Sequence, residues 1–342
     1  MALKKYLVDK RWRGMMTRQV VLQAIRSFLT DQGLVEIEVP ILSQATVLEP
    51  TIGVFETEWR QLSGQKKQRL FLATSPENNF KKLMANGLGD SFAIGHSFRN
   101  LEDSGSEHQP EFLMLEWYRQ NAQLTTLMEE TQALIGFTQR QLDLELKRPA
   151  SNTLSYQGSD FDLAKPWPVL SLPDLFQKWA KIDLLDALKN KTLLKLAADK
   201  GYKTKGANFE QIFNQILLNE IEPHFPLEPF FLLDFPAVTS PMAKAQVKQP
   251  LLAARFELYI GGVEVANACV EQDEAKILAK IFAAEKEKLA TAGSKIPVDQ
   301  DFLQAVTINA QQKWAGVGLG VDRLAMILGD SNNIAEVTRA DF

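Results

Sequence analysis

The chain has 342 residues, 45% hydrophobic and 23% charged, with a formal net charge of −4. That is an ordinary globular balance with ample material for a core, and net acidity argues against binding nucleic acid mainly through bulk electrostatics. No apolar run reaches membrane-spanning length, the charged N-terminus does not read as a signal peptide, and the single cysteine, Cys269, excludes an internal disulfide or a thiolate zinc cluster. A cytoplasmic enzyme or binding protein is expected.

Lys4, Lys5, Lys10, Arg11, Arg13 and Arg18 crowd the N-terminus, and Lys66, Lys67 and Arg69 form a second basic group. Each reads as a solvated face or as a docking surface for an acidic partner. Residues 14–32 carry Met15, Val20, Val21, Ile25, Phe28 and Leu29 at helical spacing, with Gly33 placed to close the helix. LVEIEVP alternates apolar and acidic residues as a half-buried strand does, and Pro40 ends it. Residues 68–77 read as a strand running into a turn, and 78–87 as a short helix closed by Gly87.

Two apolar runs follow, FAIGHSF at 92–98 and EFLMLEWY at 111–118. They read as antiparallel strands joined by a long polar loop, and long ordered loops are often functional. An arginine (Arg99) and an aromatic (Phe112) flanking such a loop suit a phosphate and a base. Leu124–Leu146 is helical in pattern. Residues 150–168, rich in Ser, Asn, Gly and Pro, read as a connection. Residues 171–225 read as small helices forming an insertion.

PFFLLDFP at 229–236 is a buried-strand pattern. Residues 254–271 read as two strands around a Gly261–Gly262 turn, 272–292 as an amphipathic lysine-rich helix, and AGVGLGVDRLAMILGD as a glycine-rich strand followed by a helix. Gly316, Gly318 and Gly320 do not make a dinucleotide loop, which needs GxGxxG inside a βαβ unit and an acidic residue about twenty positions later. A close-packed strand whose glycines admit a ligand fits better. Strands joined largely by hairpins, with helices bunched between groups, favour an α+β fold, an antiparallel sheet flanked by helices.

Three segments together resemble the class II aminoacyl-tRNA synthetase signature. They are the helix and strand ending at Pro40, the segment with Phe98-Arg99-Asn100 and His108 through Phe112, and GVGLGVDRL at 316–324. TSPE at 74–77, PEFLMLEWY at 110–118 and RFELYIGGVEVAN at 255–267 resemble the lysine-specific subgroup. The first-motif helix begins near residue 14, so no anticodon-binding barrel is expected before it. With SQATV at 43–47, FET at 55–57 and MLEWYR at 114–119, the chain looks most like the stand-alone elongation factor P–lysine ligase group. The resemblance implies a single catalytic domain over 1–342, with 150–225 as a helical insertion.

It also implies the chemistry. Lysine or a lysine isomer would be activated with ATP and Mg2+ as an aminoacyl-adenylate and placed on a lysine of elongation factor P. Aminoacylation of tRNA by a truncated synthetase, or a non-catalytic paralogue that binds lysine or ATP, are the other readings. A homodimer built on the first motif is expected, and no membrane partner. Arg99 would hold the α-phosphate and Arg323 the far end of the triphosphate, where a guanidinium fork suits phosphate oxygens. A surface salt bridge is the plainer reading of each. Glu257 and Glu264 would carry Mg2+, or simply face outward on strands. Phe112 would stack on adenine, with His108 near the phosphates and Glu102 at the base. Glu77, Glu116 and Glu271 would form an acidic amino-acid pocket with Tyr118, Asn267 and Gly318, since a ligand with two ammonium groups needs more than one carboxylate.

The chain also departs from the family pattern. Leu101 stands where the second motif usually has glutamate, with Glu102 next in line. Glu107 and Gln109 flank His108 in place of arginine and asparagine. Ala268-Cys269 replaces a Gly-Phe pair, and Gly318 stands where the ligase group typically has alanine.

Overall fold

The computed structural model describes residues 2–9, 11–45, 52–62, 67–101, 105–291 and 296–338. Glu102, expected at the base, lies outside them. Helix α1 (Ala2–Val8) precedes α2 (Arg13–Asp31), in which Val20, Val21, Ile25 and Leu29 form the buried stripe that the spacing predicts. Strand β1 (Val35–Ile37) follows. A small sheet comes next, β2 (Leu42–Ser43), β3 (Glu56–Arg60) and β4 (Lys67–Leu72), in the order β2-β4-β3. Helix α3 (Glu77–Ala85) leads to the expected antiparallel pair, β5 (Ser91–Phe98) and β6 (Glu111–Gln120), then α4 (Leu124–Glu145).

The segment read as a connection contains a hairpin, β7 (Thr153–Tyr156) and β8 (Ser159–Asp162). Its turn is Gln157-Gly158, both at positive φ (48° and 77°), the backbone that the twist of a two-residue hairpin favours. Strand β9 (Val169–Ser171) leads into the segment read as an insertion, which runs through α5 (Leu172–Leu175), α6 (Leu184–Asn190), α7 (Leu193–Asp199) and α8 (Phe209–Ile216) to a turn of 3-10 helix at Glu222–His224. Then come β10 (Phe230–Leu233), β11 (Arg255–Ile260), β12 (Val263–Val270), α9 (Ala275–Thr291), α10 (Gln300–Asn309), β13 (Trp314–Gly320), α11 (Val321–Leu328) and α12 (Ala335–Thr338).

Eight strands make the main sheet, in the order β1-β5-β6-β13-β12-β11-β10-β9. Only its margins are parallel, β1 with β5 and β9 with β10, so the α+β expectation holds. The period of two along each strand sorts residues between the faces. Leu115 and Trp117 of β6, Ala315, Val317 and Leu319 of β13, and Phe256, Leu258 and Ile260 of β11 join one core with α2, α4 and α11. Their alternates are left to the other face, where the site forms. The insertion has its own core around Leu172, Phe176, Phe213 and Ile216, anchored on Phe230, Leu232 and Tyr259 of the sheet.

Candidate active site

A cavity of about 620 Å³ opens on that second face. On β6 the alternation presents Phe112, Met114, Glu116 and Tyr118 to it. Neighbouring β13 presents Gly316, Gly318 and Gly320, paired with Tyr118, Glu116 and Met114 respectively. Three glycines at alternate positions therefore floor the cavity with bare backbone. At Gly316 a Cβ would fall 2.4 Å from the Tyr118 ring, so glycine is required for the tyrosine to lie where it does. At Gly318 a Cβ would meet nothing closer than 3.8 Å.

Strand β12 solves a parity problem. Asn267, Cys269 and Glu271 share a face, and Glu264, three residues before Asn267, should point the other way. The pairing with β11 shifts register between Leu258 and Tyr259, so that Leu258 faces Ala266 while Tyr259 faces Glu264. This bulge gives one extra residue to β12 and turns Glu264 onto the cavity side. Glu264, Asn267, Cys269 and Glu271 all line the cavity as a result.

At the end of the cavity where β5 and β6 are joined, the Arg99 guanidinium lies 5.3 Å from the Phe112 ring, and its Nε donates to the Thr74 carbonyl at 3.4 Å. Arg323, in the first turn of α11, donates to the backbone carbonyls of Glu264 (2.8 Å) and Glu107 (3.2 Å), and lies 2.7 Å from His108 Nε2. These contacts hold two guanidinium groups and an imidazole on one rim. Leu101 is in the left-handed region (φ 63°), exposed, and not among the residues that line the cavity. Gln109 does line it, buried, and its Oε1 has no hydrogen-bond partner among the described residues. A buried acceptor without a partner costs about 1–3 kcal/mol, a cost that a ligand donor would relieve.

The carboxylates form two groups. Glu257 accepts from Arg255 Nη2 at 2.5 Å and from the Tyr259 hydroxyl at 2.9 Å. Burial pushes its carboxyl up to about 7 despite Arg255, and the nearby charges of Glu264 and Glu222 add to the rise. Glu222, at the end of the insertion, is raised by burial and by Glu264 and Glu107. Among the described residues no three His, Cys, Asp or Glu side chains are arranged to hold a metal by themselves. Glu257 and Glu264 are hard oxygen donors on adjacent strands, and such donors fit a divalent cation that draws its remaining ligands from phosphate.

Further along β6 lies the second group. Glu116, read as either a pocket or a solvent position, is 5% exposed. The Tyr118 hydroxyl donates to it at 3.4 Å. Burial, then Glu116, raises the Tyr118 hydroxyl well above its ordinary value, so it is a donor at neutral pH. Glu77 at the start of α3 and Glu271 at the end of β12 join it. Asn267 Oδ1 accepts from Arg255 Nε at 3.0 Å. Every described residue expected at the site thus lines this one cavity except Glu257, which stands beside it within reach of Arg255. From Phe112 to Glu116 the strand advances about 14 Å, so the aromatic–guanidinium end and the acidic end are separated along a single groove.

Sequence reasoning missed Lys81 and Arg255, both in the wall of the cavity. For Lys81 a signal existed. It falls one helical turn from Glu77 and beside Phe80 on the face of α3 that carries the buried Met84.

A family model described as tRNA synthetases class II (D, K and N) matches residues 6–339. The chain is 34% identical over 330 residues to proteins named elongation factor P–(R)-beta-lysine ligase from Salmonella paratyphi B, Salmonella schwarzengrund and Salmonella choleraesuis. In each case the match covers 95% of this chain and 93% of the relative.

Proposed function

We propose that this chain, which belongs to the class II tRNA synthetase family of the D, K and N type, is a ligase. It activates lysine or a lysine isomer with ATP and transfers it to a lysine side chain of elongation factor P. The carrying observation is the single groove with guanidinium groups at one end and Glu77, Glu116 and Glu271 at the other. The names of the relatives point to the same acceptor.

In the first step the amino-acid carboxylate attacks the α-phosphorus of ATP, the bond to the β-phosphate oxygen breaks, and pyrophosphate leaves. Negative charge grows on the transferring phosphate, where Arg99 supplies fixed positive charge, and on the leaving group, which Arg323 and His108 receive. Phe112 stacks on adenine, and Gln109 offers its Oε1 to a donor on the nucleotide. The acidic end orients the amino acid through its ammonium groups, with Tyr118, Asn267 and Gly318 shaping the floor. Glu257 and Glu264 would hold Mg2+, which neutralises phosphate charge when bound. In the second step a neutral amine of the acceptor lysine attacks the acyl carbon and AMP departs.

The exposed apolar side chains of Val35, Ile41, Leu42 and Trp59, on and beside β1 and the small sheet, support a homodimer contact at the first motif. Among the described residues no helix is long and apolar enough to cross a membrane, and we place the enzyme in the cytoplasm. Labelled α-lysine and (R)-β-lysine, offered with ATP to elongation factor P and separately to tRNA, test the acceptor. Label on the protein factor is expected, and label on tRNA alone contradicts the reading.

A further inference from the structure

The acidic end of the cavity contains a cation of its own. The Lys81 ammonium lies 2.6 Å from Glu77 Oε1 and 2.8 Å from Glu271 Oε2. It is 3% exposed, whereas Glu77 and Glu271 are 20% and 13% exposed. The lysine is thus the most deeply buried of the three in the wall that they share. It bridges α3 to the end of β12, two elements far apart in sequence.

Charge accounting gives this placement a meaning. Glu77 and Glu271 bring two negative charges to the pocket and Lys81 returns one positive, so the group stays acidic, and Glu116 is a further carboxylate on the same cavity. A diamino acid brings two ammonium groups to such a site. Without Lys81, Glu77 and Glu271 would face each other in a buried space, where like charges drive one of them to keep a proton. We propose that Lys81 is a positioning residue for the amino-acid substrate: by holding Glu77 and Glu271 ionised and in place, it selects a diamino acid. This rests on the ligase reading above.

The surroundings agree. Facing the ammonium are Glu77 from α3 and Glu271 and Cys269 from the end of β12, and the Tyr118 ring of β6 lies 5.7 Å from its Nζ. From α10, Asn309 donates to the Lys81 backbone carbonyl, while Asp299 is taken up by Lys82 and Asn78. Burial alone would lower the Lys81 pKa, but Glu271 and Glu77 raise it beyond its ordinary value. Burial raises Glu271, and Lys81 is the largest influence opposing that rise.

The test is pyrophosphate exchange with lysine across the neutral pH range, comparing the unmodified protein, Lys81→Met and the double variant Lys81→Met/Glu271→Gln. In Lys81→Met the KM for lysine should rise at least about tenfold, which corresponds to about 1.4 kcal/mol, and should become pH-dependent, with the KM for ATP unchanged. The double variant, relieved of the excess charge, should fold and lose the pH dependence without regaining affinity. Unchanged lysine KM and pH profile in Lys81→Met overturn the proposal. So does a Lys81→Met that fails to fold while the double variant binds lysine normally, since Lys81 would then serve the fold alone. If the unmodified protein shows no lysine-dependent exchange, the ligase reading fails first, before any variant is made.

Discussion

Two glycines two residues apart on β13 should respond oppositely to the same methyl group. At Gly316 an added Cβ would lie 2.4 and 2.5 Å from two carbons of the Tyr118 ring. The ring cannot withdraw freely: it is 5% exposed and packs edge-on against the fully buried Phe80, 4.8 Å between centroids. Overpacking of this kind costs about 1–3 kcal/mol, and the displaced hydroxyl loses its hydrogen bond to Glu116. Gly316→Ala should therefore lower stability by that amount and raise the KM for the amino acid by about tenfold, the worth of one hydrogen bond of about 1.4 kcal/mol. At Gly318 the nearest atoms to an added Cβ are Met114 Sδ at 3.8 Å and the Asn267 carbonyl oxygen at 3.9 Å. That is ordinary contact, and the loss of glycine's unfolded-state freedom stabilises by about 0.4–1 kcal/mol. Gly318→Ala should be neutral or slightly more stable, with any effect confined to the amino-acid KM. Urea denaturation read by tryptophan fluorescence gives the stabilities, and pyrophosphate exchange gives the KM values. Equal destabilisation by the two substitutions, or none by Gly316→Ala, would refute the packing argument.

Three further outcomes follow from the same geometry. Because the Glu257 carboxyl is held up at about 7 in the folded chain, the folded state binds its proton more tightly than the unfolded one. Its contribution to stability is thus fully present below the unfolded carboxylate value and lost as pH rises through 7. Glu257→Gln should flatten that dependence and raise stability in mild alkali by up to about 3 kcal/mol in urea titrations without divalent cation, and an unchanged pH slope contradicts this. Asp322 is 1% exposed and accepts from Arg18 Nε at 2.5 Å and the Leu113 amide at 2.7 Å. Asp322→Asn turns an amide donor toward one of these donors and should cost about 3 kcal/mol in urea denaturation, so a loss within about 0.5 kcal/mol means the clamp is not formed. Glu116→Gln keeps the shape and removes the charge, so the KM for lysine should rise by roughly ten- to a hundredfold, since charged hydrogen bonds are worth about 1.5–3 kcal/mol, while the KM for ATP holds.

Much of the sheet was legible because alternation writes burial into sequence. The β5–β6 pair, the Gly261–Gly262 hairpin and the glycine-rich β13 all carried period-two patterns with turn signals. The hairpin at 153–162 was missed because its polar composition reads as a connection. Yet Leu154, Tyr156 and Phe161 are its buried residues, and Gln157-Gly158 turns where Asn-Gly is the familiar signal. Helix α10 went unread although Asp299 caps it, accepting from the Phe302 amide at 2.9 Å. At the site, Arg99 and Phe112 stood out beside a long loop, whereas Arg323 and the pocket carboxylates were reached through the resemblance to the class II motifs. The bulge that turns Glu264 inward is a property of pairing between strands, and Lys81 acquires its role only when α3 and β12 meet. Neither is a local property of the chain.

The most direct measurement is ATP–pyrophosphate exchange in the presence of magnesium, with amino acids offered singly. Exchange driven by lysine or its β-isomer, and abolished by Arg99→Ala, is the result this account predicts. Absence of exchange with every amino acid, or exchange driven equally by amino acids that have no second amino group, would contradict it.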